Sequence, residues 1–243
     1  MNIKLNLQYD GTNYHGWQIQ PNGVTVQELL QNAVFEITRQ KTSVTGCGRT
    51  DAGVHALNYV CNFHIGTNIP IEKIPHALNS HLPEDIRVFN AELAEEDFLA
   101  GDSAVKKRYV YQILNREFDD AFLTKYAWHC KYKLNIGDMQ KAAEAFLGEH
   151  DFIGFASSGF TVKTTVRTIY SLDITESNGL ITIDITGNGF LYNMVRIIAG
   201  TLVFVGSGKI DPLDMADIIA SCDRTRAGIT APAKGLFLKE VFY

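Results

Sequence analysis

Gly46-Cys47-Gly48-Arg49-Thr50-Asp51-Ala52-Gly53-Val54-His55-Ala56 is the stretch on which the reading of this 243-residue chain turns. Three glycines in so short a run, followed by strand-like residues 57–65, predict a tight loop whose backbone takes angles that a β-carbon resists. Such a loop can hold side chains clear of the sheet behind it. Arg49 and Asp51, two residues apart and opposite in charge, are the candidates. Two readings are open at this point. Asp51 tops a turn by bonding its own backbone, beside a solvated Arg49, or the loop presents a carboxylate to a substrate.

Upstream of the loop, Ile3, Leu5, Leu7 and Tyr9 alternate with Asn2, Lys4, Asn6 and Gln8, the period-two pattern of a half-buried strand. These first residues have no long apolar run and so do not read as a signal peptide. Thr25 with Glu28 makes a capping box, after which Val26, Leu29, Leu30, Ala33, Val34 and Ile37 fall on one helical stripe. Downstream, Tyr59, Cys61, Phe63 and Ile65 share a strand face, a short helix is expected over 71–80 despite Pro75, and 86–93 reads as a strand. Acidic residues Glu92, Glu95, Glu96 and Asp97 lead toward Lys106, where we place the boundary between halves 1–105 and 106–243.

The second half opens with a strand over 108–115, Tyr109, Tyr111 and Ile113 on one face. Asn135 and Asp138 introduce a helix through Met139, Ala142, Ala143 and Phe146, stopped by Gly148. A loop rich in Gly, Ser and Thr covers 154–165, followed by strands over 167–175 and 180–186. Gly187-Asn188-Gly189 signals a turn before a helix over 191–205, Asp211 and Pro212 start another helix, and 236–243 closes the chain as a strand. Strands and helices mix without the regular alternation of a parallel fold, which favours α+β with largely antiparallel sheets.

With 46% hydrophobic residues, the chain can bury real cores. Cys47, Cys61, Cys130 and Cys222 form no C-x-x-C pair, so neither a zinc site nor a disulfide framework is suggested, and reduced cytoplasmic thiols are the default. No segment approaches the roughly 18 apolar residues of a membrane span. The histidines lack metal-ligand spacing, and the glycines lack the spacing of a dinucleotide or P-loop site, so no metal or cofactor is expected. The formal charge of −5 requires any RNA partner to meet locally concentrated cations. Lys106-Lys107-Arg108 is the one tight cluster, and Lys163 belongs to a scatter of others; a solvated patch and an RNA contact are both open. Arg196 lies on a strongly apolar helix, where an unpaired charge is costly, so it ties two elements together, serves a site, or does both.

Beyond these readings, Gly48-Arg49-Thr50-Asp51-Ala52-Gly53-Val54-His55-Ala56 resembles the signature of the tRNA pseudouridine synthase A family. Tyr9-Asp10-Gly11-Thr12 with Gly16-Trp17-Gln18, Gln20-Pro21-Asn22 and Thr25-Val26-Gln27 is similar to that family's first block. Leu78-Asn79 with Leu82-Pro83-Glu84-Asp85-Ile86, Gly189-Phe190-Leu191 with Met194-Val195-Arg196, and Thr230-Ala231-Pro232-Ala233 with Gly235-Leu236 match later blocks in order, nearly end to end. The resemblance implies the pseudouridine synthase fold, two similar α/β halves sharing a sheet with a central cleft. It implies a cofactor-free isomerase acting on uridines 38, 39 and 40 of the tRNA anticodon stem-loop, working as a homodimer. By the same resemblance Asp51 is the nucleophile, Arg196 its ion partner, Tyr109 the ring that stacks on uracil, and Arg49 the residue that enters the RNA as the base leaves. Where the family carries an aromatic-histidine-alanine-arginine-aromatic element against tRNA, this chain reads Phe98-Leu99-Ala100-Gly101-Asp102, without the histidine, the arginine and the second aromatic. An aspartate there weakens phosphate affinity and leaves open an altered-target or non-catalytic paralogue.

Overall fold

A computed structural model describes residues 1–159 and 162–243. In chain order its elements are β1 (Asn2–Tyr9), α1 (Val26–Thr38), β2 (Thr45–Gly46), β3 (His55–His64), α2 (Ile74–Asn79), β4 (Ile86–Ala94), β5 (Lys106–Leu114) and β6 (Trp128–His129). There follow α3 (Ile136–Ala143), β7 (Gly148–Asp151), β8 (Val166–Ser177), β9 (Leu180–Gly187), α4 (Met194–Gly206), α5 (Met215–Ala220) and β10 (Leu236–Phe242). Residues 160 and 161 of the expected loop 154–165 lie outside the described residues. The class is α+β with mostly antiparallel strand pairing.

The chain forms two compact units, Met1–Val105 with Phe237–Tyr243, and Lys106–Leu236. The expected second half, 106–243, therefore differs at its end. β10 runs parallel to β3, pairing Phe237 with His55 and Leu238 with Ala56, a long-range contact that no local pattern announces. The same pairing starts β3 at His55, two residues before the expected 57.

In the first unit β1 pairs antiparallel with both β3 and β4, which sets Leu5 opposite Cys61 and Ala91. The alternation read from the sequence sends Ile3, Leu5 and Leu7 inward, fully buried. Thr25 caps α1 by accepting from the Glu28 amide, and Val26, Leu30, Ala33 and Val34 are its buried face. In the second unit β9 pairs with β5 and β8, and Ile181, Ile183 and Ile185 supply its buried row. α3 ends at Ala143 in a 3-10 turn, Glu144–Phe146, and Gly148 opens β7 at φ 93° instead of stopping the helix. α4 begins at Met194, later than the expected 191, because Asn193 adopts the left-handed conformation (φ 61°) and turns the chain at that point. Most of α4 is buried, with Arg196 among the few partly exposed positions. Among the described residues no helix is long and apolar enough to cross a membrane.

Candidate active site

Residues 47–54 link β2 to β3 and are held by the chain's first loop and by β3 itself. The Trp17 amide donates to the Thr50 carbonyl at 3.1 Å, the Gly53 amide to the Tyr14 carbonyl at 3.3 Å, and the Cys47 amide to the Val60 carbonyl at 2.9 Å. Side chains add to this frame. Tyr9 and Thr50 share a hydroxyl hydrogen bond of 2.8 Å, and the Tyr59 hydroxyl donates to the Gly48 carbonyl. Trp17 stacks on Tyr59 with centroids 4.0 Å apart. Burial pushes the Tyr59 phenol well up, so it stays protonated and remains a donor.

This frame decides which side chains face out. Thr50 is buried, whereas Arg49 is exposed and Asp51 half-buried, so the charged pair flanks an inward anchor. The expectation that all three loop glycines serve unusual backbone angles needs correcting: Gly53 alone among them has positive φ, 76°. Gly46 is required for room, since a β-carbon there would stand 2.2 Å from the Tyr59 hydroxyl oxygen. Gly16, in the supporting loop, combines both constraints, with φ 83° and a would-be β-carbon 2.3 Å from the Thr50 carbonyl oxygen. Gly16→Ala is expected to destabilise the protein by about 2–4 kcal/mol, read as a lower urea midpoint, because backbone at both ends leaves no side chain to yield.

In the second unit Arg196 is clamped from two sides. Its Nε donates to the Ala231 carbonyl and its Nη1 to Asn193 Oδ1, each at 2.7 Å, while the Ala231 amide returns a bond to the Arg196 carbonyl at 3.1 Å. Asn193 in turn donates to Ser157 Oγ at 2.9 Å. The loop bearing Ala231 is pinned by Arg224, whose Nη1 donates to the Gly228 carbonyl at 2.8 Å, and by the Tyr111 hydroxyl on the Pro232 carbonyl at 2.7 Å. Gly200 admits this loop, since a β-carbon there would meet the Ile229 carbonyl oxygen at 1.9 Å. Tyr111 is thus core, its phenol raised by burial. Tyr109, half-buried on β5, meets Phe190 edge to face at 5.2 Å. Tyr109 and Arg196 are therefore both tied to the connection between β9 and α4, through Phe190 and Asn193.

The other candidates are dispersed. Arg108 pairs with the Asp184 carboxylate through two bonds, Nε to Oδ1 at 2.7 Å and Nη2 to Oδ2 at 2.8 Å, so its charge is largely matched within β5 and β9. Lys106 and Lys107 are half-buried on β5, and Lys163 is exposed. Phe98 lies against Tyr243 with ring centroids 5.1 Å apart. His55 Nδ1 accepts from the Gly11 amide at 3.0 Å and so braces the supporting loop. Among the described residues no group of three or more His, Cys, Asp or Glu side chains is placed to hold a metal ion. Sequence reasoning missed the buttress of Tyr9, Trp17 and Tyr59; its signal was Gly16 directly before Trp17, in a polar loop that also carries Gly11 and Gly23.

Residues 7–99 and 142–243 match the family model described as tRNA pseudouridine synthase. Those ranges contain Arg49, Asp51, Phe98, Lys163 and Arg196, and leave out Lys106, Lys107, Arg108 and Tyr109. The chain is 52% identical to the tRNA pseudouridine synthase A of Thermoanaerobacter sp. (strain X514) over 242 residues, covering 100% of this chain and 99% of that protein. It is 48% identical to the protein of the same name from Ruminiclostridium cellulolyticum, covering 99% of each. With that of Clostridium acetobutylicum it shares 50% identity, over 100% of this chain and 99% of the relative.

Proposed function

Because this chain belongs to the tRNA pseudouridine synthase A family, we propose that it converts uridine to pseudouridine at positions 38, 39 and 40 of the tRNA anticodon stem-loop. The observation that carries this reading is the Asp51 loop, built into its frame in a chain that matches these relatives end to end. Uridine and pseudouridine are isomers, so the reaction calls for no redox partner or group donor. It breaks the bond from C1′ to N1, turns the uracil, and joins C5 to C1′; the C5 proton leaves and N1 gains one.

Asp51 is the carboxylate beside C1′, acting as nucleophile or as the base that removes the 2′ proton. Arg196 supplies the positive charge that keeps it ionised and oriented. Arg49 enters the RNA stack as the target nucleotide swings out. Tyr109 stacks on the uracil and assists loss of the C5 proton, with Phe190 fixing the ring's tilt. Tyr109→Phe is expected to keep tRNA affinity within about twofold while kcat falls about a hundredfold, in line with loss of one general acid–base group. Filter binding and single-turnover rates separate the two effects.

Phe98, Lys106, Lys107 and Lys163 are further RNA contacts in this reading, with Arg108 contributing beside its Asp184 partner. The protein acts in the cytoplasm as a homodimer, which lets an acidic chain present a joint basic surface to one tRNA. The test is tritium release from tRNA carrying C5-labelled uridine, followed by mapping of the modified positions. Release from positions 38–40 is the expected result. Binding without release would leave a non-catalytic tRNA-binding protein, and release from other positions would make it an altered-target paralogue.

A further inference from the structure

Tyr243, the residue after β10, donates its hydroxyl to the Ala100 carbonyl at 2.9 Å across 143 residues of sequence. Although 41% of Tyr243 is exposed, partial burial, with Cys47 and Cys61 nearby, pushes its phenol up, so it remains a donor at any physiological pH. The Tyr243 ring packs on Phe98, and Lys4 Nζ lies 4.9 Å from its centroid, itself held by Glu92 at 2.8 Å. The same short segment is fastened from below. Asn62, buried, accepts from the Ala100 amide at 2.9 Å and donates to the Phe98 carbonyl at 3.0 Å; buried Asn2 donates to Phe98 as well, at 2.9 Å. Ala100 is consequently fully buried with both its backbone groups bonded. The segment then abuts the catalytic loop: a β-carbon at Gly101 would stand 3.2 Å from the Gly46 carbonyl oxygen. On its inner side Gly46 is pressed by Tyr59 and Trp17, so the foot of that loop is gripped between two walls.

We propose that Tyr243 is a positioning residue: by holding Ala100 it keeps Gly101 against Gly46, and so fixes the foot of the loop that carries Asp51. The inference rests on the reading of Asp51 as the nucleophile. A displacement well under the size of an atom suffices to matter, since misplacing a reacting group by about 1 Å can cost about a hundredfold in rate.

The test is Tyr243→Phe, which keeps the ring and its stacking and removes only the hydroxyl. Hydrogen exchange at the Cys47, Gly53 and Val54 amides is expected to quicken about fivefold or more. In tritium release kcat is expected to fall about tenfold, with KM for tRNA within about twofold and the melting temperature little changed. Gly101→Ala, which pushes on Gly46 without touching the hydroxyl, is expected to lower kcat in the same way and serves if the first variant folds poorly. Unchanged exchange in both variants would overturn the proposal. So would a raised KM with intact kcat, which would make the segment an RNA contact instead. If the unaltered protein released no tritium, the catalytic reading would fail, while the exchange measurement would still decide whether the clasp holds the loop.

Discussion

Asp51→Asn is expected to abolish tritium release from C5-labelled tRNA, with kcat lower by about 10⁴-fold or more, the scale seen when a nucleophile is removed. The substitution changes one atom and no volume. Main-chain bonds from the Trp17, Gly53, Cys47 and Val54 amides shape the loop, and side-chain hydroxyl bonds anchor it at Thr50 and at the Gly48 carbonyl. Melting temperature and tRNA affinity are therefore expected to stay near those of the unaltered protein. Circular dichroism, filter binding and the release assay on one preparation decide the matter. Turnover within tenfold of normal would remove Asp51 from the chemistry and return it to the turn-capping role that its sequence neighbourhood equally allows.

Arg196→Met is expected to give the second largest loss, and in two currencies at once. The guanidinium donates to Ala231 and Asn193, and hydrogen bonds from a charged donor contribute about 1.5–3 kcal/mol each. Methionine fills much of the same volume but leaves both acceptors unpaired, so stability is expected to fall by about 2–4 kcal/mol. The catalytic loss is expected to exceed what partial unfolding explains: kcat lower by about 10²–10³-fold under conditions where the variant is more than nine-tenths folded, with tRNA affinity changed less than threefold. Arg196→Lys separates the roles, because lysine keeps the charge and loses the planar fork. Partial recovery of kcat without recovery of stability would assign the charge to catalysis and the fork to the clamp. A kcat that merely follows the folded fraction would leave Arg196 structural.

Legibility followed the range of the forces involved. Helix α1 was readable because its cap, its stripe and its first-turn glutamate lie within a dozen residues, and β1 and β9 because a half-buried strand writes its period into adjacent letters. β2, β6 and β7 are two to four residues long, too short to leave a period, and exist because a partner strand supplies their hydrogen bonds. α4 starts later than its letters suggest because Leu191 and Tyr192 suit a helix, while the left-handed Asn193, whose side chain is bonded to Ser157 far back in the chain, turns the backbone after them. The pairing of Arg108 was not legible because Asp184 stands 76 residues away.

By themselves the letters determined the family and nominated a candidate carboxylate, since a signature loop and ordered blocks are local facts that survive without coordinates. They determined also the α+β class, because hydrophobic periodicity reports which face of an element is buried. Which residue does the holding was decided only in three dimensions. The hydroxyl of Tyr9 reaches Thr50, that of Tyr111 reaches Pro232, and that of Tyr243 reaches Ala100, across 41, 121 and 143 residues. A hydrogen bond is directional and short, so its partner is fixed by where the folded backbone passes, and nothing in the neighbouring sequence carries that information.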